Sequence, residues 1–560
     1  MKADLTKNTF NPFRHFDRVL MQQGRVQLDA DSNEQAAIFL HYLRCLAADL
    51  IGPQGGPSAD WGFGVASIPS TPSVPNDFRI GLGRYYVDGI LCEADSRAVG
   101  FVVSTSKPNA IMVDQWTLDG APFQVNQLVE VFDDVQLPDI PTGPPVAAAF
   151  APTVVQISDV SQAQLTLTLP SGFTFGKPSA PKVRRVYTYL TQPDYPVPVA
   201  ANLKPSSIYL IYLDVWERLI TYVEDDAIRE VALGGPDTTA RAKVVWQVKT
   251  VLGRPNPDNK PPTTCENFQP ADPNSVATLF GANRGRLKAM AKQTAASTDP
   301  CIIPPSASYT GPENQLYRVE IHRAGGVWDG TANGLTSAAT FKWSRENGSV
   351  VFPISSGGLT TTVVLESLGR DDRFGLAEGE WVEIEDDTYV LQNHAETMLQ
   401  VQSIVSSTLT VTLSGASIWG DPTEHPLLRR WDYQAGDPAD GGLQLGSDNA
   451  ALVIEDTDGK WLSLEDGVRI QFQPPDSGQP PTQYRTGDYW LIPARTATGD
   501  VEWPSEAEKD TQGNTVIVRI AKPPDGIDHH YAPLGIVAVA ANGSVTLVSE
   551  CRKKFIPAAP

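Results

Sequence analysis

The sequence is poor in the residue patterns that build metal and disulfide sites. Five cysteines stand at positions 45, 92, 265, 301 and 551 of 560 residues, an odd number without a CxxC pair. Zinc sites and disulfide frameworks use paired spacings, so neither is expected, and the cysteines are interpreted as mostly buried thiols. Cys265 and Cys301 flank a Pro- and Asn-rich segment, which leaves a single loop-closing disulfide open as an alternative.

Long apolar runs and an excess of basic residues are also missing. No window approaches the roughly 20 apolar residues that span a bilayer, and the opening MKADLTKNTFNPFRHF has no signal-peptide core. We therefore expect no membrane span, no signal peptide, and synthesis and assembly in the cytoplasm. With 44 Lys plus Arg against 65 Asp plus Glu, the net charge of -21 disfavours nucleic acid and suits a protein that assembles beside other proteins.

Motifs of catalysis are absent as well. The sequence has no GxSxG elbow, no GxxxxGK[ST] loop and no HExxH helix, and the adjacent His529 and His530 would point to opposite faces of an extended segment. We accordingly predict no catalytic residue, no metal ligand and no cofactor, and expect that the protein is not an enzyme. Paired carboxylates need no motif, so an enzyme of the glycosidase type stays an alternative.

The 46 prolines and 45 glycines indicate many short elements joined by turns. Asp88-Gly89 lies between two apolar runs and predicts a two-residue hairpin. Further runs predict strands over 208–216, 243–252, 316–321, 339–343 and 350–354. The predicted fold class is mainly β, with several small antiparallel β-sandwich or barrel modules and an N-terminal strand-turn-helix segment.

An internal similarity indicates duplication of one module. Residues 129–134 (VEVFDD) resemble 382–387 (VEIEDD), and each is followed by a pair of Val/Thr-rich runs, at 154–160 and 165–169 and at 399–405 and 409–413. Two copies of a small antiparallel module are inferred, with convergence of half-exposed strands as the alternative. The acidic pairs are assigned to turns, and a Ca²⁺ site there stays open.

These signals divide the chain into six predicted segments. They are an N-terminal docking segment (1–52), a β-hairpin region (53–122), a first small β module (123–170), a central β domain (171–360), a second small β module (361–415) and a C-terminal β domain (416–560).

The N-terminal segment carries the clearest helical signal. Asp31 and Ser32 offer N-cap oxygens, and Gly52-Pro53 ends the pattern. Apolar residues recur on one face, at Phe39, Leu43, Leu46 and Leu50. Before the helix, residues 18–28 are predicted to form two short extended pieces, one on each side of Gly24. The unit has too little core to stand alone, so its apolar stripe must pack either on its own chain or on a partner subunit.

Residues 10–52 (FNPFRHFDRVLMQQGRVQLDADSNEQAAIFLHYLRCLAADLIG) resemble the N-terminus of an uncharacterised bacterial family encoded in phage-tail-like extracellular contractile injection gene clusters. Segments 309–322, 339–354, 484–504 and 528–537 resemble the same family. The opening segment and YYVDG at 85–89 are also similar to N-terminal regions of phage tail-fibre and baseplate-associated proteins. The chain departs from the pattern at Ser32, where the family commonly has Trp.

The resemblance implies a non-catalytic structural subunit of a contractile particle, baseplate-associated or a fibre or extension adaptor, and released extracellularly with the particle. Baseplate, sheath or tube proteins would be its partners, and a homo-oligomer is expected. A glycan-binding fibre module or an enzyme-type cargo are the alternatives. Candidate docking residues are Phe13, Arg14, Arg18, Val19, Leu20, Arg25, Phe39 and Leu43, and candidate glycan or partner aromatics are Trp216, Trp343 and Trp431.

Overall fold

The structure is a computed structural model, and it describes residues 1–68, 76–95, 97–104, 106–118, 121–133, 153–170, 180–198, 201–254, 264–271, 283–291, 308–371, 373–432, 436, 441–456, 459–509, 513 and 515–556. The chain forms two compact units. Unit one holds Met1–Leu43, Trp216–Val245 and Asn274–His529, and unit two holds Arg44–Val215, Trp246–Pro273 and His530–Pro560.

The predicted β class is confirmed, because short strands account for most of the regular structure. Its helices are α1 (Asp29–Ile51), α2 (Gly334–Ser337) and α3 (Asp387–Leu391). None of these helices is long and apolar enough to cross a membrane, a finding that covers the described residues. The strands of the first half are β1 (Gln54–Pro57), β2 (Val65–Ser67), β3 (Phe78–Ile80), β4 (Gly83–Val87), β5 (Ile90–Ala94), β6 (Ala98–Val103), β7 (Ala110–Val113), β8 (Thr117–Leu118), β9 (Ala121–Pro122), β10 (Leu128–Asp133), β11 (Thr153–Gln156), β12 (Asp159–Ser161), β13 (Thr166–Thr168), β14 (Pro181–Arg185), β15 (Ser207–Ile220) and β16 (Arg241–Leu252).

The strands of the second half are β17 (Arg286–Met290), β18 (Gln315–Arg323), β19 (Thr340–Ser344), β20 (Val351–Ser356), β21 (Thr362–Leu365), β22 (Trp381–Glu385), β23 (Leu399–Val405), β24 (Thr410–Leu413), β25 (Leu427–Trp431), β26 (Ala451–Leu452), β27 (Leu462–Ser463), β28 (Arg469–Gln473), β29 (Tyr489–Arg495), β30 (Asp500–Val501), β31 (Ser505–Lys509), β32 (Thr515–Arg519), β33 (His530–Val539), β34 (Val545–Glu550) and β35 (Lys554–Phe555). All five predicted strand runs coincide with strands, namely β15, β16, β18, β19 and β20.

The predicted hairpin is confirmed in β4 and β5. Val87 pairs with Ile90, and Asp88 and Gly89 between them have φ values of 48° and 77°. Two successive positive φ values define the turn whose twist matches that of the strands, and this is why Asp-Gly occupies it.

Unit one is built on a five-stranded sheet in the order β26-β19-β18-β29-β30, beside a three-stranded sheet β17-β28-β27 and a closed six-stranded barrel. The central strand β18 is paired on both sides, and its side chains are buried along nearly its whole length. Its aromatic core includes Phe341, Trp343, Phe472 and Trp490. In unit two, the larger sheets among the described residues are β16-β15-β33-β34, β35-β1-β4-β5 and a seven-stranded sheet.

The internal repeat is larger than the sequence indicated. The seven-stranded sheet has the order β11-β10-β14-β6-β7-β13-β12, and the closed barrel has the order β20-β21-β24-β23-β22-β25. The strands of the two copies can be matched in chain order: β6, β7, β10, β13 and β14 correspond to β20, β21, β22, β24 and β25, and β11 together with β12 corresponds to the single strand β23. With this match, every pair of neighbouring strands in one copy is also a pair of neighbours in the other. The repeat thus covers 98–185 and 351–431, not only the two predicted modules.

Two details favour duplication over convergence. Leu165 and Leu409 precede the corresponding strands β13 and β24 with left-handed φ values of 47° and 54°, a conformation that leucine rarely adopts. Their carbonyls accept equivalent hydrogen bonds, from the Val113 amide at 2.8 Å and from the Leu365 amide at 2.9 Å. Convergence of half-exposed strands explains a shared alternation of Val and Thr, but it does not explain this shared turn conformation.

The cysteines require a correction. Cys265 forms a disulfide with Cys551, 286 residues further along the chain, so the open Cys265–Cys301 pairing is wrong, while Cys301 itself lies outside the described residues. Cys92 is a buried thiol as expected, with its pKa raised to about 12 by burial, whereas Cys45 is exposed on α1. No spacing rule identifies partners this far apart, and the odd count concealed the pair.

The disulfide gives the first prediction. Removing a native disulfide typically lowers the free energy of unfolding by about 2–5 kcal/mol, because it no longer restricts the unfolded chain. We expect Cys265→Ser to lower the denaturation midpoint by a corresponding amount, and a reducing agent to lower the midpoint of the natural protein but not that of the variant. Cys45→Ser is the matched control. A midpoint that is insensitive to reduction would contradict the pairing.

Candidate docking surface

Helix α1 begins at Asp29, at least three residues earlier than the expected N-caps Asp31 and Ser32 imply. Leu28 precedes it, and the Leu28 amide donates to the Asp31 carboxylate at 3.2 Å, so Asp31 closes the first turn from inside the helix instead of capping it from outside. Asp29 in the same turn accepts from the Thr6 amide at 2.9 Å. The predicted end is confirmed, since the helix stops at Ile51 and Gly52 has a φ of 91°.

The helix carries its apolar stripe on the outside. Phe39 and Leu43 are 56% and 62% exposed, and Leu46 and Leu50 are exposed as well. Ala30 and Ile38 are the buried residues of the helix, on the opposite face. The stripe recognised in the sequence therefore does not pack on its own chain. This excludes packing of the stripe on its own chain, the first of the two alternatives, and it leaves an apolar helix face in contact with solvent.

The segment before the helix forms an arm, residues 1–28, that follows the helix and returns. On the outward leg, the Thr9 hydroxyl donates to Glu34 at 2.6 Å, and the Phe10 ring lies 5.6 Å from that of His41. On the return leg, the Val19 amide donates to the Gln35 side chain at 2.8 Å. Glu34 and Gln35 thus hold the arm against the helix.

The arm contains no strands, which corrects the predicted strand-turn-helix. Residues 15–28 make no ladder hydrogen bonds. The regular features of the arm are a 3₁₀ turn at Pro12–Arg14 and the predicted turn at Gly24, where the Arg25 amide donates to the Gln22 carbonyl. An extended segment becomes a strand only where a partner strand lies beside it, and here the neighbour is a helix.

The predicted docking residues all lie on this arm and helix. Phe13 is 85% exposed, and Val19 alone among the eight is half-buried. None of the guanidinium groups of Arg14, Arg18 and Arg25 forms an ion pair with a described residue, although Arg14 stacks on the ring of Phe16 at 4.7 Å. We call the exposed apolar side chains of this region the docking surface: Phe13, Phe16, Leu20, Met21, Val26, Phe39, Leu40 and Leu43.

The three predicted glycan or partner aromatics lie in the core and present no face to a ligand. Trp216 is stacked on His529 at 5.7 Å, Trp343 packs on Tyr317 at 5.9 Å, and Trp431 is also buried. Charged neighbours in the sequence suggested exposure, but those charges are themselves buried or paired.

A buried ionic cluster anchors the beginning of the arm. The Lys2 ammonium lies 3.2 Å from Glu320 on β18 and 3.1 Å from Glu385 on β22. Lys342 on β19 pairs with Glu383, and the Arg429 guanidinium lies 3.0 Å from Glu385. The arm, the five-stranded sheet and the barrel of unit one are therefore joined by the same group of charges.

Neighbouring polar side chains complete the cluster. Arg318 pairs with Glu320 and stacks over the Tyr489 ring at 3.6 Å. The Asn347 amide donates to the carbonyls of Met1 and Ala3 at 3.0 and 2.7 Å, which fixes the backbone on both sides of Lys2.

The cations hold these carboxylates ionised. Burial alone would raise the pKa of Glu385, but Arg429, Lys2 and Lys342 outweigh it and lower the pKa to about 2. The pKa of Glu320 lies well below its ordinary value for the same reason, with burial opposed by Lys2, Arg318 and Lys342. Burial opposes the charge of Lys342 too, yet Glu383 and Glu320 raise its pKa.

His322 lies at the edge of this cluster and is fully buried. Its Nε2 donates to the Glu396 carbonyl at 2.5 Å, and its Nδ1 lies 3.5 Å from Glu383. Burial, reinforced by Lys342, lowers its pKa to about 3. The imidazole is therefore neutral at physiological pH, and the carbonyl contact places its one proton on Nε2.

The acidic pair Asp386-Asp387 begins helix α3 and does not lie in a hairpin turn as expected. The Asp386 carboxylate accepts from the Tyr389 amide at 2.8 Å at the start of α3 and from the Gly420 amide at 3.0 Å. Asp387 pairs with Arg218 and lies 2.7 Å from His425. Within the described residues, no group of three or more His, Cys, Asp or Glu is placed to hold a metal ion. In the other pair, Asp134 lies outside the described residues.

Sequence reasoning missed the anchoring cluster altogether. Alternation does reveal that Arg318, Glu320 and His322 share one face of β18, since they stand two residues apart. Three ionisable residues on one face of an otherwise apolar strand are a signal for a buried polar network, but nothing in the sequence assigns Lys2 to it.

Fold and surface define the class of this protein: a modular antiparallel β protein that carries an exposed apolar helix and arm at its N-terminus. The sequence matches the model of a family of unknown function, DUF6519, over residues 1–133, 198–260 and 276–560. The chain belongs to that family, and its docking surface lies within the matched residues. Comparisons with curated proteins and with solved structures gave no match.

The anchoring cluster gives the second prediction. Replacing Lys2 by Met leaves Glu320 and Glu385 with fewer cations, and breaking a buried pair costs about 3 kcal/mol or more. We expect the Lys2→Met protein to unfold at lower denaturant concentration and its arm to be cut sooner by trypsin at Arg14 and Arg18. Lys7→Met is the matched control, because Lys7 pairs with the half-exposed Glu502. Equal trypsin rates for both variants would contradict the anchoring role.

His322 gives the third prediction. In the unfolded chain a histidine takes up a proton near pH 6.5, but in the folded protein His322 does so only near pH 3, so between these values the unfolded state binds more protons. Stability therefore falls as the pH falls. From pH 8 to pH 5 the natural protein should lose about 2 kcal/mol more than His322→Gln, whose amide keeps a donor for Glu396 but does not titrate. Parallel pH profiles of unfolding would contradict the assignment.

Proposed function

We propose that this protein is a non-catalytic structural subunit of a phage-tail-like contractile particle and that it binds a neighbouring subunit through the docking surface. The observation that carries the proposal is the outward orientation of the apolar stripe of α1. A baseplate-associated position or a fibre or extension adaptor suits a subunit that binds by one end of its chain.

Exposing the docking surface to water is costly. Soluble monomers rarely expose contiguous apolar patches of this kind, because burying one Leu or Phe side chain is worth roughly 1.5–3 kcal/mol. Phe39, Leu40 and Leu43 stand within two turns of one helix, on a backbone that capping and arm contacts already order. An ordered apolar surface loses little conformational entropy on binding, which favours a specific protein partner.

The charges around the docking surface describe that partner. Residues 13–26 contain Arg14, Arg18 and Arg25 against Asp17, a local net charge of +2 in a chain whose total is -21. Exposed arginines without an ion pair steer association toward a surface that carries carboxylates. The neighbour should therefore present an apolar patch bordered by Asp and Glu.

The particle setting rests on the resemblance of residues 10–52 and of the later segments to a family encoded in contractile injection clusters. Contractile particles repeat their subunits about an axis, so each contact is used many times and needs only modest affinity. This suits a docking surface of one helix and one arm.

The proposal gives the fourth prediction. Phe39→Glu combined with Leu43→Glu places two charges on the exposed face without touching the buried face of α1, so the protein should fold with an unchanged denaturation midpoint. In the native host, particles purified by affinity should contain the natural protein in fixed stoichiometry and at least tenfold less of the double variant. Ile418→Glu, an exposed apolar residue on unit one outside the docking surface, is the control and should be incorporated normally.

Two outcomes would contradict the proposal. If the natural protein does not co-purify with particles, the particle setting fails. If the double variant is incorporated as well as the control, the docking surface is not the site of attachment. Point variants are preferable to deletion of residues 1–52, because the deletion would also remove Lys2 from the anchoring cluster.

A further inference from the structure

A second exposed apolar surface lies on the connection between β15 and β16. In residues 221–240, Val231 and Leu233 are 84% and 70% exposed. They belong to unit one, as the docking surface does. Two large aliphatic side chains at the tip of one connection are costly to leave in water. We call residues 221–240 the knob.

The knob is held in one conformation by its own hydrogen bonds. Val231–Leu233 forms a 3₁₀ turn in which the Glu230 side chain accepts from the Ala232 amide at 2.9 Å. Gly235 closes the turn with a hydrogen bond of 2.9 Å from its amide to the Glu230 carbonyl. Arg229 is stacked over the ring of Tyr222 at 4.1 Å and bonded to Asp226 at 2.9 Å. These contacts order the knob before any partner binds, so Val231 and Leu233 are held in fixed positions.

The knob is acidic, whereas the arm part of the docking surface is basic. Residues 221–240 contain five acids, Glu224, Asp225, Asp226, Glu230 and Asp237, and one base, Arg229, a net charge of -4. The arm segment 13–26 has a net charge of +2, from three arginines and one aspartate. Each surface thus combines apolar side chains with charges that complement the other.

We propose that the partner of the docking surface is a second copy of this chain, whose knob packs on the apolar face of α1 between the arm arginines. The inference rests on the proposed function, in which the docking surface binds a protein. It matches the partner chemistry derived above, since the knob is an apolar patch bordered by Asp and Glu.

The charges also decide which surfaces meet in the contact. A twofold contact of docking surface with docking surface would place arginines against arginines, and knob against knob would place carboxylates against carboxylates. Only the pairing of knob with docking surface is complementary. A contact between two different surfaces closes either reciprocally, as a twofold dimer in which each knob meets the docking surface of the other copy, or successively, as a ring or an open helical array.

The test uses the full chain and two variants. The arm variant carries Arg18→Glu and Arg25→Glu with an intact knob, and the knob variant carries Val231→Glu and Leu233→Glu with an intact arm. Mass is measured by light scattering after size exclusion. The natural protein should form a dimer or a larger species, and each variant alone should run at the 60.6 kDa of one chain. Mixed in equal amounts, the two variants should form a dimer and nothing larger, because only one productive contact remains.

Each other result has a defined meaning. A natural protein that stays at the mass of one chain at its highest soluble concentration overturns the inference, and the proposed function survives if Phe39→Glu with Leu43→Glu still prevents particle incorporation. A knob variant that assembles like the natural protein overturns the role of the knob. Failure of the mixed variants to form a dimer, when each alone is monomeric and folded, overturns the head-to-tail contact. The control Arg370→Glu, at a side chain 69% exposed on unit one, should assemble normally.

Discussion

The buried ionic cluster around Lys2 is the interaction on which unit one depends. Glu320 on the central strand β18 and Glu385 on barrel strand β22 share the Lys2 ammonium. Both ion pairs can form only when the sheet, the barrel and the arm adopt this mutual arrangement. Desolvating such charges is expensive, and a buried network of this kind contributes more to the choice of one arrangement than to net stability. Neutralising any single member would leave an uncompensated buried charge.

This anchor explains how an apolar helix face can stay in solvent. The arm is fixed at its beginning by Lys2 and along its course by Thr9 and Val19, which bond to polar side chains of α1. The helix is therefore positioned by hydrogen bonds and by the small buried face of Ala30 and Ile38. Its larger apolar side chains are not needed for folding and are available for assembly, the reverse of an ordinary amphipathic surface helix.

Local signals were the predictable part of this protein. The Asp88-Gly89 turn, the end of α1 at Gly52 and the five strand runs follow from backbone preferences that act over a few residues. The direction of the α1 stripe was not predictable, because periodicity shows that one face is apolar but not whether the chain itself covers it. Trp216, Trp343 and Trp431 show the same limit, since flanking charges that suggested exposure are paired inside the fold.

Long-range features were beyond sequence reasoning for a different reason. The disulfide joins residues 286 positions apart, and the anchoring cluster joins Lys2 to residues more than 300 positions away. The repeat was detectable in VEVFDD and VEIEDD, but its full extent depends on strand pairings of β6, β7 and β14 whose sequences have diverged from β20, β21 and β25. The order in which the strands pair therefore reveals the repeat in regions where the two sequences are no longer similar.

The central claim is that the apolar face of α1 is open in the isolated protein and covered in the assembly. Hydroxyl-radical footprinting read by mass spectrometry tests it at adjacent residues, because the buried Ile38 is an internal reference for the exposed Phe39 and Leu43. The account predicts strong modification of Phe39 and Leu43 but not of Ile38 in the isolated protein, and protection of all three in the assembled particle. Protection of Phe39 and Leu43 in the isolated protein, or their continued modification in the particle, would contradict it.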